Sequence, residues 1–201
     1  MRTTVFALLG SIAAGALQPA AASDSEGRFA LKGIGAITCK RMVDIVSAKD
    51  ERTLLLIGWL EGFVTSENQR VTGLFDATPW QPTELLAMLL TTHCQNRPDQ
   101  PVYQAVQLML ETMRATSLKT QSPVELIDIG DGQKMEIYRE IMRLAQQRLI
   151  ELEYLSGGAD GKYGPNTAAG IRKFQESIGR EPNGFPDSDT LLNLFGGLFS
   201  N

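Results

Sequence analysis

Few side chains in this sequence could carry out nucleophilic or metal-assisted chemistry. The chain holds a single histidine, His93, and two cysteines, Cys39 and Cys94. A catalytic zinc ion is usually held by three protein ligands, and one histidine supplies too little of such a set. A cysteine nucleophile needs a base within hydrogen-bond distance, whereas neighbours on a helix point about 100° apart, which separates His93 from Cys94. The sequence therefore predicts neither a metal site nor a catalytic thiol.

Carboxylate chemistry is the remaining route to hydrolysis. The sequence has no Gly-x-Ser-x-Gly elbow for a serine nucleophile. Glycosidases work with acidic side chains alone, and Glu61 lies in the apolar run 59–62, surroundings that suit a general acid. The alternative is that Glu61 lies at a helix edge or pairs with a basic side chain. We favour this second interpretation, and a glycoside hydrolase that uses Glu61 is the enzymatic alternative.

The chain as a whole has the composition of a globular protein. Of its 201 residues 43% are hydrophobic and 21% are charged, and the formal net charge is −4. That length can form one medium domain or two small ones. No block of Lys and Arg is present to neutralise phosphates, so nucleic-acid binding is not expected.

The first 22 residues have the pattern of a secretory signal peptide. Arg2 precedes an apolar run over residues 5–17, which Gln18 and Pro19 interrupt before a short stretch of alanines. A membrane-spanning helix needs about 20 apolar residues, more than this run offers. We expect cleavage near Ala22, so that the mature chain is exported and has no membrane span.

Export also decides how the two cysteines are interpreted. Cys39 and Cys94 form an even pair in an oxidising compartment, where a disulfide is the default state. The bond would close a loop of 55 residues. In the chain-entropy model, a loop of that size contributes about 4 kcal/mol to the free energy of unfolding.

Residues 39–116 are predicted to form an all-α domain. Residues 53–64 are apolar on almost all sides, which predicts a helix at the centre of a small bundle. Thr83 is placed to cap a helix over residues 84–93, and another helical apolar face runs over residues 102–113. The apolar face of the helix after Thr83 would consist of Leu85, Leu86, Met88, Leu89 and Leu90.

Two other stretches of the sequence show weaker patterns of secondary structure. Residues 24–38 are small and polar, and we expect them to be partly disordered. Residues 117–138 are predicted to be a linker. Its central Gly-Asp-Gly leaves two alternatives open, an irregular hinge or a short β-hairpin with strands over 124–129 and 133–138.

The most specific pattern lies in the last quarter of the chain, where a glycine-containing loop leads into a helix twice. The first loop reads Asp-Gly-Lys-Tyr-Gly over residues 160–164, and Pro165 after it suits the first turn of a helix. The second is the shorter Asn-Gly-Phe at 183–185, after which Asp187 or Ser188 could cap the last helix. The glycines allow the positive backbone angles that tight loops need.

This stretch resembles the three-helix peptidoglycan-binding domain that many bacterial cell-wall hydrolases carry. The shared parts are a helix ending in Leu-x-x-Leu-x-Tyr, an Asp-Gly-x-Tyr-Gly-x-x-Thr loop, a helix ending in Phe-Gln and a final Asp-x-x-Thr-Leu helix. They stand at residues 147–154, 160–167, 174–175 and 187–191. The chain departs from the pattern at Glu153, where glycine is usual, and at Ala168 and Gly170. The resemblance implies a helical C-terminal domain over residues 139–198 that binds peptidoglycan.

Four side chains near the first loop are the candidate ligand-binding residues. Asp160, Lys162, Tyr163 and Arg172 would line a shallow groove for a stem peptide or a glycan of the wall. Lys162 and Arg172 would pair with stem-peptide carboxylates through charge-assisted hydrogen bonds. The alternative role is structural, with Asp160 shaping the loop and Tyr163 packing in the core, and for each of these two taken singly we favour it.

The N-terminal domain resembles two families of exported proteins. Cys39, the Trp-Leu-x-Gly-Phe run at 59–63 and the stretch around His93 and Cys94 are similar to periplasmic acid-stress chaperones of the HdeA type. They are also similar to periplasmic immunity proteins of the Rap1a type. The first family implies a disulfide-bonded helical domain that loosens at low pH and shields unfolding client proteins. Both families imply the bacterial periplasm.

These observations predict an all-α protein of two small helical domains, residues 39–116 and 139–198, joined by the linker. The protein would be non-catalytic and hold no cofactor. It would bind peptidoglycan through the C-terminal domain and a protein partner or client, in a chaperone-like manner, through the N-terminal one. The alternatives are a muramidase-like hydrolase that uses Glu61 and a periplasmic protein-interaction module.

Overall fold

The computed structural model describes residues 23–130 and 132–196, so the predicted signal peptide, residues 1–22, lies outside the described part. The chain divides into two compact units, Met1–Leu31 and Lys32–Asn201. All regular elements described below belong to the second unit. None of the helices in the described residues combines the length and the apolar composition that a bilayer crossing needs.

The second unit is mainly helical, which confirms the predicted fold class. A two-stranded antiparallel sheet, with β1 at Val124–Asp128 and β2 at Lys134–Tyr138, separates the first helices from the last ones. The α-helices are α1 (Cys39–Ser47), α2 (Arg52–Arg70), α3 (Thr83–Asn96), α4 (Val102–Thr112), α5 (Arg139–Glu151), α6 (Pro165–Ser177) and α7 (Ser188–Phe195).

Helices α1 to α4 pack around one cluster of buried side chains. The predicted disulfide is present and joins Cys39 on α1 to Cys94 on α3, with 4.7 Å between the two Cα atoms. Both cysteines are fully buried. The predicted apolar face of residues 102–113 is confirmed, because its members Val102, Ala105, Val106, Met109, Leu110 and Met113 are all buried.

Helix α2 is buried on one side only, so the prediction of an all-round buried central helix is wrong. Leu56, Leu60 and Val64 face the cluster, one turn apart. Leu54 and Leu55 are 72% and 62% exposed. Their apolar character predicted burial, but no neighbouring element among the described residues covers this side of the first turn of α2.

Three local predictions on α3 and before α1 also need correction. Thr83 is the first residue of α3 and not its cap; its Oγ1 donates a hydrogen bond to Glu61 Oε1 at 2.9 Å instead. Met88, assigned to the apolar face, is 49% exposed. The expected disorder before α1 is wrong for the 3₁₀-helix Gly33–Ala36, because Ile34 within it is buried in the first cluster.

The hairpin alternative for the linker is confirmed. Strands β1 and β2 pair in register from Val124 opposite Tyr138 to Asp128 opposite Lys134. Ile127 on β1 is buried, as expected for a strand with one face on the core. The residues before β1 are also held by a hydrogen bond, in which the backbone N–H of Leu118 donates to the Asp76 carbonyl at 2.9 Å.

A second cluster of buried side chains fills the space between the hairpin and helices α5 to α7. It also includes Trp80, which precedes α3, and Leu85, which lies in the first turn of α3. The Trp80 and Phe195 rings lie 5.5 Å apart, and the Trp80 indole donates to Thr116 Oγ1 at 3.2 Å. The division of the chain into domains at residues 39–116 and 139–198 stays a prediction.

Candidate functional site

The first glycine loop is held by a buried side-chain amide from α5. Gln146 is 2% exposed, and its Nε2 lies 3.1 Å from Asp160 Oδ1, 3.0 Å from the Lys162 carbonyl and 2.9 Å from Thr167 Oγ1. Its Oε1 accepts from the Gly161 backbone N–H at 2.7 Å. A carboxamide has two donor hydrogens and an oxygen with two lone pairs, so Gln146 uses both donors and one acceptor position to hold these residues.

The second loop is held in the same way by an amide from α6. Gln175 is 1% exposed, and its Nε2 lies 2.9 Å from Asn183 Oδ1, 3.0 Å from the Phe185 carbonyl and 3.1 Å from Thr190 Oγ1. Its Oε1 accepts from the Gly184 N–H at 2.8 Å. The loop residues stand 23 positions after their counterparts in the first loop, and the two glutamines are 29 apart. The C-terminal region is therefore an internal repeat of a helix, a clamped loop and a helix start.

Glycine is required in both loops for two reasons. Gly161 and Gly184 have φ values of +75° and +80°, a conformation that other residues adopt at a cost. Each also lies against the first turn of the helix that carries the clamping glutamine. A Cβ on Gly161 would lie 2.6 Å from the Arg139 carbonyl oxygen, and one on Gly184 would lie 2.9 Å from the Ala168 carbonyl oxygen.

Two of the four predicted ligand-binding residues lie together on one groove. Asp160 and Lys162 line a depression of about 400 Å³ on the first loop, whose remaining walls come from residues 155–158, from Gln146 and from the start of α6. Lys162 and Asn166 are exposed there, and Ser156 adds a hydroxyl group. Such a polar, open groove can donate and accept hydrogen bonds to a peptide or a sugar.

The other two predicted residues lie at the contact between the loops. The Tyr163 hydroxyl donates to the Gly184 carbonyl at 2.9 Å, so this side chain bridges the first loop to the second. Arg172 is exposed on α6 and lies close to Gly184. Neither Tyr163 nor Arg172 lines the 400 Å³ groove. The structure thus separates the four candidates into an Asp160–Lys162 pair and a Tyr163–Arg172 pair on adjacent rims.

The electrostatics of these residues follow from their contacts. The Lys162 backbone N–H and then the Gln146 amide donate to the Asp160 carboxylate, and together they hold its pKa below the ordinary value. Burial raises the pKa of the Tyr163 hydroxyl, and the positive charge of Arg172 acts in the opposite direction. At neutral pH the two rims therefore present one carboxylate, two cations and one neutral phenol.

A second groove, of about 370 Å³, lies on the other side of Asp160. The segment 117–123 and the first turns of α5 line it. Its arginines are engaged within the protein, since Arg139 donates to Glu125 at 2.6 Å and Arg143 pairs with Glu140. Lys119 is its one cation without an ion pair among the described residues, as Lys162 is in the first groove.

The residues considered for catalysis lie apart from these loops in the sequence and on other elements. Glu61 is exposed on α2 at the contact with Thr83, so the apolar surroundings inferred from the sequence are wrong and the helix-edge interpretation is confirmed. His93 lies in the last turn of α3, with its Nε2 2.8 Å from Gln100 Oε1. The described residues contain no group of three or more His, Cys, Asp or Glu side chains placed to hold a metal ion.

The two clamping glutamines were not predicted as functional residues. Gln146 and its neighbour Gln147 look alike in an amphipathic helix, although only Gln146 is buried. The signal that could have separated them is the repeat. Gln146 precedes the Asp-Gly loop as Gln175 precedes the Asn-Gly loop, and Gln147 has no such counterpart.

The comparison with known families bears on this same region. Residues 138–194 match the model of the family described as "Putative peptidoglycan binding domain". The match spans α5, both loops, α6 and all but the last residue of α7, and it supports the C-terminal peptidoglycan-binding domain that the sequence pattern predicted. No curated protein and no solved structure is significantly similar to the chain. The resemblance of residues 39–116 to HdeA-type chaperones or Rap1a-type immunity proteins has no support among these comparisons.

Proposed function

We propose that this protein is an exported, non-catalytic peptidoglycan-binding protein that tethers a helical partner-binding domain to the cell wall. The observation that carries the proposal is the match of residues 138–194 to a peptidoglycan-binding family, on a region whose two loops are fixed by buried amides. Loops held in this way keep their exposed rims in one geometry, which reduces the entropy lost when a ligand binds.

The proposed ligand is the stem peptide with its attached glycan. Among the described residues Lys162 and Arg172 form no ion pair, so both cations are available to carboxylates of the ligand. Asp160 faces the same groove as Lys162 and would accept from an amine or amide of the peptide. Tyr163 would fix the spacing between the two rims through its bond to Gly184.

Export and a periplasmic location rest on two supporting features. The predicted signal peptide would direct secretion, and the Cys39–Cys94 disulfide is of the kind that persists in oxidising compartments. Peptidoglycan is met only outside the cytoplasmic membrane, which agrees with both.

A partner-binding role for residues 39–116 is supported by the uncovered side of α2. Leu54 and Leu55 are adjacent in the sequence and mostly exposed, and exposed leucines can contribute to an interaction site. The same surface would serve a chaperone-like shield for unfolding clients. It also fits a docking module for one defined partner.

Co-sedimentation with purified sacculi tests the proposed function. The mature chain, residues 23–201, should sediment with sacculi, and the Lys162→Ala/Arg172→Ala variant should bind about 30-fold more weakly, if each cation contributes about 1 kcal/mol. Lys173→Ala is the matched control, because it removes one exposed positive charge from the same helix. Equal binding by the parent and the double variant would contradict the assigned site, and no binding by the parent would contradict the function.

Asp160→Asn probes the carboxylate without dismantling the loop. Asn183 holds the equivalent place in the second loop, where its Oδ1 accepts from the Gln175 amide and from the Phe185 N–H. The variant should therefore fold like the parent and differ only by the lost charge. Weaker binding to sacculi by a variant that circular dichroism shows to be folded would support a direct contact of the Asp160 carboxylate with the ligand.

The enzymatic alternative is tested in the same tubes. Release of soluble muropeptides that is abolished by Glu61→Gln would show that the chain is a muramidase-like hydrolase.

For the partner-binding domain, the mature chain should reduce light scattering by a reduced, unfolding model client. Leu54→Ser/Leu55→Ser should lose that effect, with Met88→Ser as an exposed apolar control on α3.

A further inference from the structure

A cavity of about 420 Å³ lies where α3 and α4 meet α7, away from both glycine loops. Its volume falls within the range of about 300–1,000 Å³ that is usual for small-ligand sites. The side chains that line it include Trp80, Gln81, His93, Leu108, Thr112 and Leu192.

The walls of this cavity are apolar on nearly every side. Leucine and methionine side chains from α3, α4 and α7 form them, with the Trp80 ring beside them, and His93 is the only ionisable side chain among the lining residues. A sugar or a charged peptide would lose its hydration here without gaining partners, so such ligands are disfavoured. A flexible hydrocarbon chain suits these walls, since methionines adapt to the shape of an apolar ligand.

One polar group in the wall lacks a partner. Gln81 is 5% exposed, and its Nε2 forms no hydrogen bond with any described residue. Buried polar groups are nearly always paired, so an unpaired amide at the wall of a cavity needs an explanation. The carboxamide is weakly held, since its Oε1 accepts only at 3.4 Å from the Trp80 N–H. Its last torsion is also a soft one, which lets the amide turn its N–H toward the cavity.

The other two polar side chains in the wall are already engaged, since the Thr112 hydroxyl donates to the Met109 carbonyl at 2.7 Å. His93 Nε2 lies 2.8 Å from Gln100 Oε1. Because a carboxamide oxygen only accepts hydrogen bonds, the Nε2 proton points to Gln100 and away from any ligand. The donor that remains for a ligand is therefore the amide of Gln81.

We propose that this cavity binds a single-chain amphiphile, with its alkyl chain between the apolar walls and its carboxyl or acyl oxygen accepting from Gln81 Nε2. The combination of one unpaired donor with otherwise apolar walls selects a molecule with one acceptor group on a hydrocarbon body. Since Leu192 comes from α7 and the other walls from residues 80–113, the bound molecule would contact both buried clusters. This site is independent of the peptidoglycan-binding loops.

Bromine quenching of Trp80 tests the proposal directly. In Trp59→Phe, Trp80 is the only tryptophan, and it lines the cavity. 2-Bromododecanoic acid below its micelle concentration carries its bromine next to the carboxyl group, and so near Trp80 in this pose; it should quench Trp80 in a saturable way, and unbrominated dodecanoic acid should reverse the quenching. Over a series of shorter acids, the affinity should fall about fourfold for each methylene removed. If Trp59→Phe folds poorly, the parent chain serves, with Trp59 as a constant unquenched signal.

Paired variants separate this site from non-specific adsorption. Leu108 and Met88 are both 49% exposed, but only Leu108 lines the cavity. Leu108→Glu should weaken the acid at least tenfold, whereas Met88→Glu should leave its affinity unchanged. Gln81→Met should weaken dodecanoic acid about tenfold and leave 1-bromodecane unaffected. Absence of saturable quenching, or equal quenching in Leu108→Glu and Met88→Glu, would overturn the proposal, whatever the outcome with sacculi.

Discussion

The loop clamp makes a strong prediction about stability for Gln146→Leu. Leucine fills a volume similar to that of glutamine and suits a helix, so the substitution removes the polar contacts without opening a large cavity. Gln147→Leu is a matched control one position further along α5, where the side chain is exposed. Any effect of the added apolar group or of helix propensity is common to both variants.

The magnitude follows from the hydrogen bonds that are lost. Gln146 can donate two bonds among its three acceptors and accepts one from Gly161 at 2.7 Å. At about 1 kcal/mol for each of these three bonds, the loss is about 3 kcal/mol, and the buried Gly161 N–H left without a partner adds to it. For a unit of this size, that corresponds to a fall of about 6–12 °C in the melting temperature.

Thermal and urea unfolding followed by circular dichroism measure the effect. The free energy of unfolding of Gln146→Leu should fall by the amount above, whereas that of Gln147→Leu should stay within about 0.5 kcal/mol of the parent value. Gln175→Leu should resemble Gln146→Leu, because the second clamp repeats the first. If Gln146→Leu were no less stable than Gln147→Leu, the clamp would not hold the loop and the argument for rigid rims would fail.

Three further predictions concern the disulfide and the two titrating groups on the rims. Replacing Cys39 and Cys94 by serine should cost about 4 kcal/mol in the free energy of unfolding, measured by urea titration, and an unchanged midpoint would contradict this. The Asp160 pKa is lowered in the folded state. The stabilising effect of the ionised carboxylate is therefore present above the ordinary pKa of 3.8 and is lost as the pH falls through the folded-state pKa. The urea midpoints of the parent and Asp160→Asn should converge on acidification from pH 6 to pH 3. Tyr163→Phe removes the bond to Gly184 and should cost about 1 kcal/mol at pH 8. Because the Tyr163 pKa is raised, that difference should shrink as the pH rises from 8 to 11, and a constant difference would refute the assignment.

The spacing of apolar residues was enough to predict the helices and most of their buried faces. Val102, Val106 and Leu110 illustrate this, since three- and four-residue spacing leaves a helix one side on which to bury them. The same reasoning failed for Leu54 and Leu55. The hydrophobicity of a side chain determines how much free energy its burial contributes. Whether a neighbouring element covers that side chain depends on how the other elements are arranged.

Polar residues were harder to assign from the sequence, because their role depends on position to within one residue. Gln146 and Gln147 are chemically identical, and a helix turns by about 100° between them, which separates a buried clamp from an exposed side chain. Thr83 is a related case. Its type and its place before a helix suited a cap, but Pro82 occupies the N-cap position and the Thr83 hydroxyl donates to Glu61 on another helix.

Helix α6 links the two clamped loops into one surface. Thr167 at its start is held by Gln146, and Gln175 two turns further on holds the second loop. The Tyr163 hydroxyl closes the connection by donating to Gly184. The distance between the Asp160–Lys162 rim and Arg172 is therefore fixed by one helix and a buried polar network, not by the flexible loops themselves. A ligand with charges at both rims would meet a preformed spacing, so substitutions of the clamps should weaken peptidoglycan binding even though the proposed charged contacts remain in the chain.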